Sequence, residues 1–382
     1  MVSTSSTAGD GSTAGDGSTA GDGSTTGGIE GAGPVREEDA FDVGAVRSWL
    51  GRQGVALPDD LEVRQFRGGA SNLTYSLWGE GTDLILRRPP RGQKARGAHD
   101  MGREFRIQSA LEEPFGLVPH MVGLCEDESV IGSPFYVMER VDGLIPRREL
   151  PPAAALGEAG VRRLCTNALD VLIKLHRVDT SIPEIAALGK GTGYVSRQVE
   201  GWSARFRNAH TDDIGAARDA QGERVTAWLA AEQPADVANC LIHNDFRFDN
   251  LVLDKADPTR VVGVLDWEMA TLGDPLMDLG GTLAYWINDH DDEFFREFRR
   301  QPTNAPGMLD REQVVDYYTD AMGLSVTPDR WRFYEVYGLF RLAVIAQQIY
   351  YRYFHRQTTN EAFAIFGPAT EYLVARCDRI IR

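Results

Sequence analysis

The chain contains few cysteines, and their positions form no pattern that would bind a metal. Four cysteines, at positions 125, 165, 240 and 377, lie far apart, and no Cys-x-x-Cys pair or Cys/His spacing typical of zinc sites occurs. This argues against a zinc module. It predicts buried, reduced thiols of the kind found in a reducing cytoplasm.

Long apolar runs and an excess of positive charge are also absent. No stretch of about 18 apolar residues occurs, so no transmembrane helix is expected. The N-terminus lacks the charged start and apolar segment of a secretory signal. The formal net charge of −16 repels the phosphates of nucleic acids. We expect a cytoplasmic protein that binds neither nucleic acid nor membrane, and the oligomeric state stays open.

The first 35 residues are of low complexity. Residues 7–24 repeat the unit TAGDGS three times. Gly, Ser, Thr, Ala and Asp bury too little apolar area to offset the entropy of ordering, so residues 1–35 are expected to be a disordered tail. A calcium-binding β-helix is the alternative, but that fold needs an apolar position in each repeat, and none occurs.

The remaining chain changes from strand-like to helical patterns. Strand patterns cover residues 61–66, 73–78 and 84–88, and a strand pair is expected at 130–131 and 135–138 around a Gly-Ser-Pro turn. A helical segment at 101–111 accompanies them. We therefore expect an N-terminal lobe over residues 36–141, built of an antiparallel sheet and one helix.

From residue 151 onward the apolar spacing is mostly helical. Long apolar helices are expected at 330–353 and 361–381, and one strand pair is expected at 251–253 and 261–265. The sequence thus predicts an α+β fold of two lobes, with a mostly helical C-terminal lobe over residues 142–382.

Two polar motifs around that strand pair carry the strongest chemical signal. His243-Asn-Asp245 is followed by Asn250, and Asp266 ends the apolar strand. Phosphoryl transfer with Mg²⁺ needs one carboxylate to accept a hydroxyl proton, and an amide oxygen and a second carboxylate to bind metal. Asp245 and Asp266 could instead cap a turn and a helix. Their joint occurrence on either side of a strand pair favours the chemical role.

The stretches HNDFRFDNLVLD and VLDWEMATLGDPLMDLG resemble the aminoglycoside phosphotransferase-like (choline kinase-like) enzymes, which share the protein kinase fold. They are most similar to a bacterial branch related to kinase-like domains associated with acyl-CoA dehydrogenases. The resemblance covers about residues 42–382. It implies that Asp245 is the catalytic base and that Asn250 and Asp266 bind Mg²⁺. It also implies that Arg247 approaches the transferred phosphate, and a salt bridge within the loop is the alternative for that arginine.

One position departs from the resemblance. Relatives usually have Gly where this chain has Asn244. Asn tolerates left-handed backbone angles better than most residues, so a loop that needs a positive φ can keep its shape.

The loop between the first two strands resembles the phosphate-covering loop of these enzymes. Its sequence is Gly-Gly-Ala-Ser-Asn, and glycine lets backbone amides approach phosphate oxygens. The resemblance implies that Gly69, Ser71 and Asn72 bind the nucleotide. A Gly-Gly turn on its own is more often a simple hairpin.

The third strand has no lysine to bind the phosphates, so an arginine is expected in that role. Side chains alternate along a strand, which places Ile85 and Arg87 on one face. In protein kinases the residue two positions before the lysine faces the nucleotide, so the resemblance implies that Arg87, rather than Arg88, faces it. Glu104 on the following helix is its expected carboxylate partner; two unrelated surface charges are the alternative.

Further residues are assigned by position. Glu139 and Val141 lie in the expected hinge between the lobes, where backbone groups can bind adenine. Asp274 is expected to cap a helix that begins at Pro275, and Asp278 to brace the catalytic loop from the first turn of that helix.

The acceptor site is predicted only in outline. Its candidate residues are Trp202, Phe206, Tyr285, Trp286, Tyr337 and Arg341. Aromatic residues on helices more often belong to the core. The acidic run at 289–293 could attract a cationic substrate, but a solvated loop is the simpler interpretation.

Together these features predict an ATP-dependent, Mg²⁺-requiring phosphotransferase that acts on a hydroxyl group of a small molecule. Two acceptor classes stay open: an antibiotic such as an aminoglycoside, or a hydroxyacyl thioester. A nucleotide-binding pseudokinase or regulatory module without transfer activity is the alternative. A protein kinase is disfavoured because no Asp-Phe-Gly or Ala-Pro-Glu segment bounds an activation loop.

Overall fold

A computed structural model describes residues 31–66, 72–90, 100–213, 215–358 and 360–382. The strands in these ranges are β1 (Ala32–Gly33), β2 (Glu62–Phe66), β3 (Leu73–Gly79), β4 (Thr82–Arg88), β5 (Met121–Cys125), β6 (Phe135–Glu139), β7 (Cys240–Ile242), β8 (Leu251–Leu253), β9 (Val261–Val264) and β10 (Thr271–Gly273). The helices are α1 (Val43–Arg52), α2 (Met101–Leu111), α3 (Glu158–His176), α4 (Pro183–Ala186), α5 (Tyr194–Asn208), α6 (Ala216–Glu232), α7 (Pro275–Leu283), α8 (Glu293–Glu297), α9 (Arg311–Met322), α10 (Pro328–Phe354) and α11 (Phe366–Ile380).

The N-terminal lobe is a six-stranded antiparallel sheet in the order β1-β2-β3-β4-β6-β5. Alternation along β4 divides its side chains between two faces. Leu84 and Leu86 enter a core with Trp49 of α1, whereas Ile85 packs with Met101 at the start of α2. The sheet therefore presents the face that carries Arg87 to α2 and to the rest of the molecule.

Two features of this lobe differ from the sequence-based expectation. The strand pair expected at 130–131 is wrong, because β6 pairs with β5 and Val130 lies in a turn whose amide donates to Asp127 O (3.2 Å). Gly123 interrupts the apolar pattern of β5, which hid this strand. In addition, β1 pairs with β2 at Ala32↔Phe66, within the stretch expected to belong to the tail.

The C-terminal lobe is built around the long helix α10, which packs against α5, α6, α7 and α11. The predicted strand pair is present as β8 and β9, and β7 and β10 form a second two-stranded sheet. The four cysteines are free and buried, as expected. Within the described ranges, no helix is both long and apolar enough to cross a membrane.

Helices α7 and α10 approach each other at glycines. A Cβ at Gly338 would lie 2.7 Å from the carbonyl carbon of Gly280, and a Cβ at Gly280 would lie 2.5 Å from Tyr334 O. This close packing brings Asp278 of α7 and Arg341 of α10 to the loop that follows β7.

Candidate active site

The loop that follows β7 brings Asp245 and Asn250 together. Nδ2 of Asn250 donates to the backbone oxygen of Asp245 (2.9 Å) and to its carboxylate oxygen Oδ2 (3.1 Å). Because the amide nitrogen points to Asp245, the amide oxygen of Asn250 remains available as a metal ligand. The loop is also joined to the residue that follows β9, because Leu265 N donates to Asn250 O (2.8 Å).

Asp278 braces this loop as expected. Its carboxylate accepts the amides of His243 and Asn244 (both 2.8 Å) and a hydrogen bond from His176 (3.1 Å). Burial alone would raise the pKa of Asp278, but the contacts with His176 and His243 lower it. The carboxylate therefore stays charged and fixes the start of the loop. Asp274 caps α7, as predicted, by accepting the amides of residues 276 and 277.

Asn244 adopts a left-handed conformation with φ of 64°. This agrees with the expectation that an asparagine could replace glycine in a loop that needs a positive φ. The departure from the usual residue thus leaves the backbone of the loop intact.

Asp266 also has a positive φ, of 67°, and its side chain does not cap the short helical turn that follows. Instead, its Oδ1 lies 3.2 Å from Nη2 of Arg87. The backbone on its N-terminal side is tied to the catalytic loop, because Leu265 O lies 3.1 Å from Nε2 of His243. A non-glycine residue in this conformation is held by its surroundings, as is common at functional sites.

Arg87 joins two carboxylates from different lobes. Its Nη1 lies 3.3 Å from Glu104 of α2, while its Nη2 contacts Asp266. Arg88 points to the other face of the sheet, where it donates to Tyr75. The expected register and the expected Arg87–Glu104 pair are both present. Burial works against the charged form, but Tyr136, Glu104 and Asp266 raise the pKa of Arg87, so the guanidinium keeps its charge.

Asn72 is held by two carboxylates, and its role in phosphate contact stays a prediction. It is only 2% exposed, and its Nδ2 donates to Glu104 (2.9 Å) and to Glu268 (3.4 Å). In this arrangement Asn72 links the N-terminal lobe to the segment that follows Asp266. Gly69 and Ser71 lie outside the described residues.

Arg247 contacts both the expected base and a neighbouring carboxylate. Its Nε lies 3.3 Å from Asp245 Oδ1 and 3.3 Å from Asp249 Oδ1, and its guanidinium lies 5.0 Å from the ring of Tyr285. The salt bridge within the loop is thus present. A role toward phosphate stays a prediction.

The expected hinge is an extension of β6. The amide of Glu139 donates to His120 O (2.8 Å), and that of Arg140 donates to Asp83 O (3.0 Å). Arg140 fixes the strand end through two bonds to Asp83 (2.7 and 2.6 Å). Adenine binding by Glu139 and Val141 stays a prediction.

Several residues at the site were not identified from sequence. His176 contacts Asp278, and Tyr194 contacts Asn244 of the catalytic loop. Gln301 accepts the amide of Phe248 (2.8 Å), and Arg103 donates to Glu268 O (2.9 Å). Each contact joins residues that are at least 50 positions apart. No local pattern marks such contacts.

The acidic run at 289–293 has a mainly structural role. Asp291 is buried and pairs with Arg311 (2.6 Å) and Arg376 (3.1 Å), and Asp292 caps α8. Arg376 and Arg311 hold the pKa of Asp291 below its usual range, although burial raises it. These contacts argue against a site for a cationic substrate at Asp291.

Comparison with known proteins places this chain in a family. A model of the "Phosphotransferase enzyme family" matches residues 62–313. The mouse protein named acyl-CoA dehydrogenase family member 10 is 34% identical over 346 residues, which cover 90% of this chain and 31% of that protein. The chain spans less than half the length of the curated relatives it matches.

Solved structures agree with the fold. A crystal structure from Ralstonia eutropha, described provisionally as an aminoglycoside phosphotransferase, has a TM-score of 0.74 and 29% identity, and the match covers 89% of this chain and 98% of that one. The aminoglycoside phosphotransferase APH(4)-Ia, in a ternary complex with AMP-PNP and hygromycin B, has a TM-score of 0.54 and 17% identity, with 88% and 98% covered. The predicted α+β, kinase-like fold is thereby confirmed. By its sequence and its fold, the chain belongs to the phosphotransferase enzyme family.

Proposed function

We propose that this protein is an ATP-dependent kinase that transfers the γ-phosphoryl group to a hydroxyl group of a small molecule. The observation that carries the proposal is the connected set of contacts in which Asn250 holds Asp245 while Arg87 holds Asp266. A base, two metal-binding oxygens and a phosphate-binding cation are the parts that phosphoryl transfer requires. Membership of the phosphotransferase family supports the proposal.

The residues present fit a magnesium nucleotide. The Nε of Arg87 is buried and has no hydrogen-bond partner among the described residues, so it can donate to a phosphate oxygen. The amide oxygen of Asn250 and the carboxylate of Asp266 are ligands that Mg²⁺ prefers. When bound, Mg²⁺ would neutralise charge that develops on the transferred group.

In this mechanism Asp245 accepts the proton of the acceptor hydroxyl, while the oxygen of that hydroxyl bonds to the γ-phosphorus. The bond from that phosphorus to the bridging oxygen of ADP breaks, and a phosphate ester and ADP are formed. Arg87 holds the phosphates in line, and Asn250 keeps the Asp245 carboxylate oriented.

Two arginines lie close to Asp245. Arg247 contacts Asp245 directly. Arg341 is buried, and its Nη2 donates to the backbone oxygen of Asn244, the residue that precedes Asp245 (2.8 Å). The guanidinium of Arg247 lies over the ring of Tyr285, and that of Arg341 over the ring of Trp202. Asp245 and Asp249 offset the charge of Arg247, so charge alone does not select the acceptor. The relatives named acyl-CoA dehydrogenase family members lead us to favour a hydroxyacyl thioester or a related hydroxy acid derivative.

The alternative, a nucleotide-binding module without transfer activity, rested on two departures from the family pattern. Both are accommodated in the structure, because Asn244 adopts the positive φ and Arg87 forms the pair with Glu104. The geometry therefore favours an enzyme.

The test is an assay with Mg·ATP and a panel of hydroxyacyl thioesters, hydroxy acids and aminoglycosides, with products followed by mass spectrometry. We expect a phosphorylated product from the hydroxyacyl thioesters or hydroxy acids. The kcat of Asp245→Asn should be lower than that of the wild type by at least about a thousandfold. Asp212→Asn is the matched control, since Asp212 is exposed and outside the site, and it should retain activity. Nucleotide binding without transfer to any acceptor would refute the proposal.

A further inference from the structure

We propose that Asn244 is a positioning residue whose side chain locks the catalytic loop to the segment that carries Asp266. The inference rests on the phosphotransferase function proposed above and deepens it. It assigns a purpose to the asparagine at a position whose backbone angles suit glycine best.

The side chain of Asn244 connects two parts of the site. Its Nδ2 donates to Met269 O (3.0 Å), and its Oδ1 accepts the hydroxyl of Tyr194 (3.0 Å). Met269 ends the short helical turn that begins directly after Asp266. Asn supplies both a donor and an acceptor at this place, whereas Gly supplies neither and Asp supplies only acceptors.

The main chain of Asn244 is held as firmly as its side chain. Its amide donates to Asp278 Oδ1 (2.8 Å), and its carbonyl accepts from Arg341 Nη2 (2.8 Å). All four polar groups of the residue therefore have partners, supplied by α5, α7, α10 and the turn after Asp266. These contacts fix Asn244, and with it the neighbouring Asp245, relative to α5, α7 and α10.

The Met269 contact completes the support of Asp266. On the N-terminal side of Asp266, Leu265 is tied to His243 and to Asn250. On its C-terminal side, the Asn244–Met269 bond joins the same two segments. Asp266 thus lies between two attachments to the catalytic loop. Loss of the second loosens one flank of the proposed metal-binding carboxylate, which Arg103 and Asn72 then hold only from the other lobe. Because small displacements of reacting groups cost large factors in rate, the effect should appear in kcat.

The test compares Asn244→Gly with Tyr194→Phe and with their combination. Asn244→Gly keeps the positive φ and the main-chain bonds but removes both side-chain bonds. We expect a roughly ten- to hundredfold loss in kcat with little change in KM for ATP, and a higher Mg²⁺ concentration for half-maximal rate. Tyr194→Phe should have a smaller effect that is not additive with Asn244→Gly. Asn360→Gly, at an exposed cap outside the site, is the control and should retain wild-type kcat.

Hydrogen exchange gives a measurement that does not depend on transfer. In Asn244→Gly, peptides that cover residues 265–270 should exchange faster than in the wild type, while exchange in α10 stays unchanged. Faster exchange together with a lower kcat supports the inference, and unchanged exchange or unchanged kcat overturns it. If the wild-type protein transfers phosphate to no acceptor, the proposed function fails. The bridging role is then decided by exchange alone.

Discussion

Replacement of Gly338 by alanine tests whether the contact between α7 and α10 supports the site. The new Cβ would lie 2.7 Å from the carbonyl carbon of Gly280 and nearer still to its oxygen. Carbon atoms in contact sit about 3.5–4.0 Å apart, so the two helices must separate by about 1 Å. The obstacle is backbone, which cannot rotate away as a side chain can.

The free energy of unfolding should fall by about 2 kcal/mol. Overpacking of this kind costs up to about 3 kcal/mol, and the better helix propensity of alanine returns about 1 kcal/mol. Activity should fall as well, because Arg341 lies one turn further along α10 and holds the carbonyl of Asn244. We therefore expect a lower kcat in the fraction of the protein that remains folded.

Urea unfolding followed by circular dichroism measures this loss, and Gly51→Ala serves as the matched control. Gly51 lies in the last turn of α1 with no atom within 4 Å of its added Cβ. That variant should be neutral or gain up to about 1 kcal/mol. If Gly338→Ala is as stable as Gly51→Ala, the backbone contact between α7 and α10 does not exist as described.

Two further substitutions test charges at the site. Arg87→Lys cannot contact Glu104 and Asp266 with separate nitrogens of one planar group, so the Kd for Mg·ATP, measured by calorimetry, should rise roughly tenfold; an unchanged Kd would argue against the predicted phosphate contact. Burial raises the pKa of Asp249 above 3.8, although Arg247 opposes this shift. The charged carboxylate of Asp249 therefore destabilises the fold, and this loss of stability grows as the pH rises from 3.8 through the higher pKa of the folded state. Asp249→Asn should therefore raise Tm at pH 7 and lose this advantage below pH 3.8, and an equal Tm difference at both pH values would contradict the assignment.

Much of the fold was predictable because its elements have regular periods. The helix at 101–111 and the strand around Arg87 follow directly from apolar spacing, and the structure has both. The strand at β5 was missed because Gly123 breaks the apolar pattern, and the turn near Val130 was mistaken for a strand because β-branched residues favour strands.

The site was predictable where its residues are close in sequence. Asp245 and Asn250 share one loop, so their spacing already indicates their contact. The donation from Arg341 to Asn244 spans 97 positions, and the link from Asn72 to Glu268 spans 196. Such contacts depend on helix packing and lobe arrangement, which local spacing does not encode.

Polar contacts between the two lobes hold the cleft closed. Arg87 of β4, Asn72 just before β3 and Arg103 of α2 all reach the segment at 266–270 of the other lobe. These contacts between the lobes must break for the cleft to open. The barrier to opening is therefore electrostatic in part, and it falls as ionic strength rises, because salt screens the contacts at the partly exposed Asp266. For the kinase proposed here, release of the product should then be faster in high salt.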